Sequence, residues 1–207
     1  MAPNVFGDPI TDETLKALPE YAIKETITSE DTAQVALNRK LPIPDIPVNV
    51  LGYINNATRH TLKLVYDHDW SGHVDESLSY PQKIENGQWG SFLHIGDYPP
   101  GLFVRQSTAA VVYYANNGRI GGFCKLLFAW HSGGFIGQNK PVGCLYCFEE
   151  PQSVEHNWEA IREKLNNSDQ EQTERTPYGF KATVTISPGN TPALIATITL
   201  DLPLENA

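Results

Sequence analysis

Leu62, Leu64 and Tyr66 alternate with Lys63 and Val65 along residues 60–66, the period-two pattern of a half-buried strand. An apolar run at 48–54 precedes it across Asn55-Asn56-Ala57-Thr58, so the two runs predict a hairpin. Residues 88–94 and 109–115 predict two more strands, and the second leads into Asn116-Asn117-Gly118, whose Asn-Gly pair suits a tight type I′ turn. The runs at 122–130 and 142–148 are apolar with little alternation, as in strands covered on both faces. A closing hairpin has the clearest pattern. Phe180, Ala182, Val184 and Ile186 take one face and Lys181, Thr183 and Thr185 the other, with Ser187-Pro188-Gly189-Asn190 turning into a second alternating run at 193–200.

Helical spacing is confined to fewer segments. Thr11, Asp12 and Glu13 suit a helix start and Pro19 stops it; Ser29 or Thr28 caps a second helix, running to about Lys40, with Ala33, Ala36 and Leu37 on one face. Pro42, Pro44 and Pro47 then impose an extended connector. Residues 1–47 are thus expected to form a helical arm and Pro-rich connector, and residues 48–207 a β-sandwich domain. One later helix is expected from Ser153, Val154, Trp158, Ile161 and Leu165, ending at Asn166-Asn167-Ser168-Asp169, and the polar stretch 170–176 reads as a loop. About eight strands, few helices and no βαβ alternation predict a mainly β chain, an antiparallel β-sandwich with a short helical N-terminal arm and one later helix.

Composition narrows the functional classes. The 207 residues are 41% hydrophobic and carry 24 acidic against 15 basic side chains, a formal charge of −9. Such an excess of acid disfavours nucleic-acid binding, which draws its affinity from clustered Lys and Arg. No apolar stretch approaches the roughly 20 residues of a membrane-spanning helix, and the first residues contain no basic region followed by an apolar run, so a cytoplasmic location is expected. Three cysteines, Cys124, Cys144 and Cys147, are too few for a disulfide framework and read as buried reduced thiols. On a strand Cys144 and Cys147 point to opposite faces, so the C-x-x-C spacing makes neither a redox nor a zinc site.

The densest polar segment is 67–76. Asp67, Asp69 and Ser71 with Gly72 match the opening of a calcium loop, but its twelfth position is Leu78 where a bidentate glutamate belongs. His73 and Asp75, with His68 and Glu76, supply further metal-competent groups. A metal-binding protein or metal-dependent enzyme using Asp67, Asp69, Ser71, His73 and Asp75 is therefore one alternative, with calcium its cofactor. Catalytic signatures are otherwise missing: Ser132 in His131-Ser132-Gly133-Gly134 lacks the G-x-S-x-G elbow, and Gly118–Gly122 fits no phosphate loop. Aromatic residues near loops, Trp70, Tyr80, Trp89 and Tyr98 with its Pro99-Pro100 turn, are candidates for a ligand-binding rim.

The string Val5-Phe6-Gly7-Asp8-Pro9-Ile10-Thr11, continuing through Leu18-Pro19-Glu20-Tyr21 and Asp31-Thr32-Ala33, resembles the plant 23 kDa jasmonate-induced proteins. The likeness extends to residues 50–58 and Gly133-Gly134. It implies a stress- or hormone-induced plant protein and supplies no catalytic residues. A weaker similarity, through Ile54-Asn55, residues 81–87 before Trp89, and the 113–118 turn, is to aegerolysin-like and actinoporin-like lipid-binding sandwiches. With the strand pattern, the aromatic loop residues and the missing catalytic signatures, the expectation is a non-enzymatic stress or defence protein that binds a lipid headgroup, glycan or protein partner; a structural homo-oligomer is the remaining alternative.

Overall fold

The computed structural model describes residues 4–10, 48–101, 104–116, 123–133, 139–148, 157–175 and 179–200. The chain passes through β1 (Val5–Phe6), β2 (Asn49–Ala57), β3 (Leu62–Ser71), β4 (His73–Val74), a 3-10 turn (Glu76–Leu78), β5 (Lys83–Ile84), β6 (Trp89–Ile95), β7 (Gln106–Asn116), β8 (Phe123–Gly133), β9 (Lys140–Phe148), α1 (Trp158–Asn166), β10 (Glu171–Arg175), β11 (Phe180–Ile186) and β12 (Ala193–Leu200). One sheet has the order β1-β6-β2-β12-β11-β10, with β4 also on β6; the other has the order β5-β3-β7-β8-β9. The chain is a mainly β, sandwich-like fold, as its alternation predicts. The helices and connector expected within 11–47, the Asn117-Gly118 turn and the Ser153 cap lie outside the described residues. Residues 4–10 lie on the seven-stranded sheet, with Val5 opposite Gly90, and Ile10 N donating to Asn86 O at 2.7 Å.

Between the sheets lies the main core, where Val50, Ile54, Phe92 and Phe180 of one sheet meet Leu62, Val111, Tyr113, Leu126, Phe128 and Trp130 of the other. Gly52 is required here: it pairs with Phe92, and a Cβ at Gly52 would sit 2.0 Å from Phe92 Cζ. The ring thus lies across β2 and reaches Tyr80 (centroids 4.9 Å) and Trp130 (5.1 Å). Strand β8 carries buried residues on both faces: Cys124, Leu126, Phe128 and Trp130 face the main core, while Leu127 and Ala129 join a second cluster with Ile161 and Leu165 of α1. The helix is short because Asn157 caps it, its Oδ1 accepting from Ala160 N at 3.1 Å.

Four local expectations change. The runs at 48–54 and 60–66 do not form a hairpin: β2 and β3 belong to different sheets, and β2 continues through Asn55, Asn56 and Ala57. Buried Asn56 organises the crossing, its Nδ2 donating to His60 O (2.7 Å) and Ile84 O (2.9 Å) while its Oδ1 accepts from Thr58 Oγ1 (2.7 Å). Residues 171–175 form strand β10 on the edge of the larger sheet, because their alternating side chains match the Thr183 and Thr185 face of β11. The closing hairpin pairs as its pattern predicts, Phe180 opposite Leu200 and Ile186 opposite Leu194, yet β12 then runs parallel to β2, a pairing that joins the last strand to the first long one. Cys124 is disulfide-bonded, not a reduced thiol, and Cys147 lies directly across from it in the β8–β9 ladder.

Candidate functional site

Trp70 and Tyr98 stand at the same end of the sandwich. Ser71, next to Trp70, donates through its hydroxyl to Gln106 O at 3.1 Å, and Gln106 forms a backbone bridge with Asp97, next to Tyr98. Tyr98 is 52% exposed, and the Arg105 guanidinium lies 5.0 Å from its ring centroid. His73 Nδ1 meets Asp97 Oδ2 at 2.9 Å, both side chains more than half exposed. A depression of about 410 Å³ beside this pair is lined by His73, Val74, Asp75, Glu76, Ser77 and Ile95.

Trp70 itself lies on the outer face of the five-stranded sheet. A register shift between Asp69 and Ser71 gives β3 an extra residue there, and such a bulge re-aims the side chain it carries. His68 stacks on Trp158 of α1, centroids 4.6 Å apart and planes 8° from parallel, and Trp70 sets its edge against both rings at 4.7 and 6.1 Å. The trio fastens α1 to the sheet while leaving each ring part-exposed. On the same face His131 Nδ1 lies 2.8 Å from Thr108 Oγ1. Burial, then the positive charges of Lys140 and Arg162, outweigh a bond to the Gly133 backbone and hold this imidazole below its ordinary pKa.

Asp69 instead reaches inward. Its Oδ1 accepts from the Tyr80 hydroxyl at 3.3 Å and lies 3.2 Å from His94 Nε2; His94 Nδ1 is 2.8 Å from Ser107 Oγ, which takes Trp130 Nε1–H at 3.1 Å. A carboxylate only accepts, so Nε2 carries the imidazole proton and Nδ1 accepts from the Ser107 hydroxyl. The Asp-His-Ser order is that of a hydrolytic triad, but His94 and Ser107 are fully buried, so in this conformation the serine meets no substrate. The chain is a polar tie between the sheets. Gly72 passes over it at φ +97°, where a Cβ would come within 2.5 Å of His94 Cε1 and 2.4 Å of Ile95 O.

The other sequence candidates fall apart. Tyr80 and Trp89, expected at a rim, are each 4% exposed: Tyr80 fills the inter-sheet core, and Trp89 packs with Leu51, Tyr53, Leu78 and Leu93 on the outer side of the larger sheet. The five residues expected to hold a metal are not brought together. Asp75 Oδ1 caps the 3-10 turn by accepting from Ser77 N (2.8 Å) and Leu78 N (3.2 Å), His73 turns to Asp97, and Asp69 turns to His94. Among the described residues no three His, Cys, Asp or Glu side chains are placed to share an ion. His94 and Ser107 escaped the sequence reading, which marked His68 only as a metal-competent group and Trp158 only by its helical spacing.

Comparisons with known proteins place this geometry in a family. A 23 kDa jasmonate-induced protein of Hordeum vulgare is 35% identical over 147 residues, covering 63% of this chain and 67% of the relative. The crystal structure of the lipid-binding protein Nakanori superposes with a TM-score of 0.71 over 94% of this chain and 99% of its own, at 18% identity, a likeness of fold. The model of the Nakanori-like protein family matches residues 46–200, the whole two-sheet body from β2 to β12, and the chain belongs to that family.

Proposed function

We propose that the protein is a non-enzymatic binding protein that engages a zwitterionic lipid headgroup at the Trp70–Tyr98 end of the sandwich. The observation that carries this reading is the exposed Tyr98 ring beside a depression bordered by Asp75, Glu76 and the His73–Asp97 pair. An aromatic face together with carboxylates attracts a quaternary ammonium, and a tyrosine at an interface buries its ring while its hydroxyl stays wet. The overall charge of −9 opposes an anionic bilayer and leaves a neutral one. A protein of the same fold is named for lipid binding, which agrees with the proposal. The jasmonate-induced relative supports extending it to a stress- and defence-related role in a plant.

Co-sedimentation with phosphatidylcholine vesicles tests the proposal. The native chain is expected to pellet with them, and Tyr98→Ala to remain in the supernatant with an unchanged melting temperature. Equal pelleting of both proteins would count against the site, and no pelleting of the native chain against the lipid reading itself.

A further inference from the structure

The outer face of the five-stranded sheet carries a second feature, at the other end of β3. Lys83 of β5 pairs with Lys63 of β3, Lys63 with Tyr114 of β7, and Tyr114 with Lys125 of β8. Cross-strand partners share a face, so these four residues form one row across four strands. A register shift between Leu64 and Tyr66 adds Val65 to β3, which puts Tyr66 opposite Val112 and therefore on this outer face, not inward with Leu64. Its ring then covers Lys125, whose Nζ lies 5.2 Å from the centroid. Lys63, Lys83 and Tyr66 are exposed, and Lys125 is 8% exposed. Burial lowers the Lys125 pKa from the usual lysine value.

The outward positions of three strands of this sheet carry charge opposite in sign to that of the chain. Along β3, β7 and β8 the outward positions are Lys63, Tyr66, His68 and Trp70, Thr108 to Tyr114 at alternate residues, and Lys125 to His131 at alternate residues; none is acidic. Within the row Lys83 is ion-paired with Glu85. With strands about 4.8 Å apart, Lys63 and Lys125 are separated by roughly 10 Å with the Tyr114 ring between them. That span suits a six-membered ring with anionic groups on both sides.

We infer that the row Lys83–Lys63–Tyr114–Lys125, covered by Tyr66, binds a sugar-like ring bearing several phosphate esters. The tyrosines supply apolar edges for the ring's C–H groups and the lysines take the phosphates. This site is independent of the headgroup site at the Trp70–Tyr98 end.

Calorimetric titration with inositol hexakisphosphate at low salt tests the inference, with vesicles of phosphatidylcholine containing phosphatidylinositol 4,5-bisphosphate as a second arm. The double variant Lys63→Gln/Lys83→Gln alters two exposed side chains and keeps the fold, to be verified by circular dichroism; it is expected to weaken binding at least tenfold. Lys181→Gln, on β11 of the other sheet, is the control and is expected to bind as the native chain does. Binding of the free hexakisphosphate identifies a soluble ligand class, and binding of the phosphoinositide vesicles alone identifies a lipid-borne one; either supports the row provided the double variant loses it. No binding in either arm, or binding that the double variant retains or the Lys181 control equally loses, overturns it. Plain phosphatidylcholine vesicles report only on the Trp70–Tyr98 end, so the two readings fail separately.

Discussion

Asp69 Oδ1 lies 3.2 Å from His94 Nε2 although the two residues belong to different sheets. The bond is the outer link of a polar chain that ends at Trp130 inside the core. Its links differ in their access to water: the Asp69 side chain is 29% exposed, whereas His94 and Ser107 have no exposure. Removing a partner from a buried polar group costs about 1–3 kcal/mol. Asp69→Ala is expected at the low end of that range, because water can reach the vacated position. Ser107→Ala, which strands both His94 Nδ1 and Trp130 Nε1, is expected at the high end. Urea denaturation of the two variants measures the order, and a larger loss for Asp69→Ala would contradict the arrangement.

His131 predicts the sign of an acid effect. Its pKa in the folded chain is below the ordinary 6.5, as is that of His60 through burial and then Arg59. Between the folded value and 6.5 the unfolded chain holds more protons, so stability rises with pH. The contribution is complete above about pH 6.5 and declines as pH falls through that window towards the folded values. Melting temperature recorded from pH 7.5 to 5 is expected to drop on the acid side, and His131→Asn to flatten part of the drop. An unchanged acid slope in the variant would show that His131 does not contribute.

The ring trio on α1 predicts how firmly the helix docks. Trp158→Ala removes the stack on His68 and the edge contact with Trp70 and opens the cluster of Ile161 and Leu165, so a loss of about 2–3 kcal/mol is expected. Trp158→Phe keeps a ring against His68 and should recover most of it. Guanidinium denaturation with near-ultraviolet circular dichroism measures both. An alanine variant as stable as the native chain would mean that the trio does not anchor the helix.

The disulfide at Cys124 takes two of the three cysteines and leaves one. Thiol titration of the denatured, unreduced chain is expected to find one reactive group, and three after reduction. Three before reduction would remove the disulfide and agree with a reducing cytoplasm, where such bonds are rare.

How far the sequence could be read depended on the contrast between faces. The hairpin of β11 and β12 was legible because Phe180, Ala182, Val184 and Ile186 are buried while Lys181, Thr183 and Thr185 are part-exposed, so one register satisfies both strands. Leu62 and Lys63 are equally clear as a strand, but alternation names no partner, and the polar tetrapeptide before them has the composition of a turn although buried Asn56 crosses between sheets. Tyr66 departs from its alternation for a related reason. One added residue at a bulge reverses every later position in the strand, and no local pattern in 60–66 announces it.

The site shows the same division. Trp70 and Tyr98 could be nominated from their loop-like neighbours, and Tyr80 and Trp89 with equal justification, since a large aromatic serves a core or a rim alike. Only the packing of sheet on sheet separated them, burying the second pair and leaving Tyr98 exposed. By itself the sequence determined the mainly β class, most strand positions, the family likeness and the excess of acid, because these follow from local alternation and composition. Tertiary structure alone decided which strands pair, that Asp69 meets His94, and that three lysines and two tyrosines of an acidic chain share one face, because side chains distant in sequence meet only after strand order and register have been set.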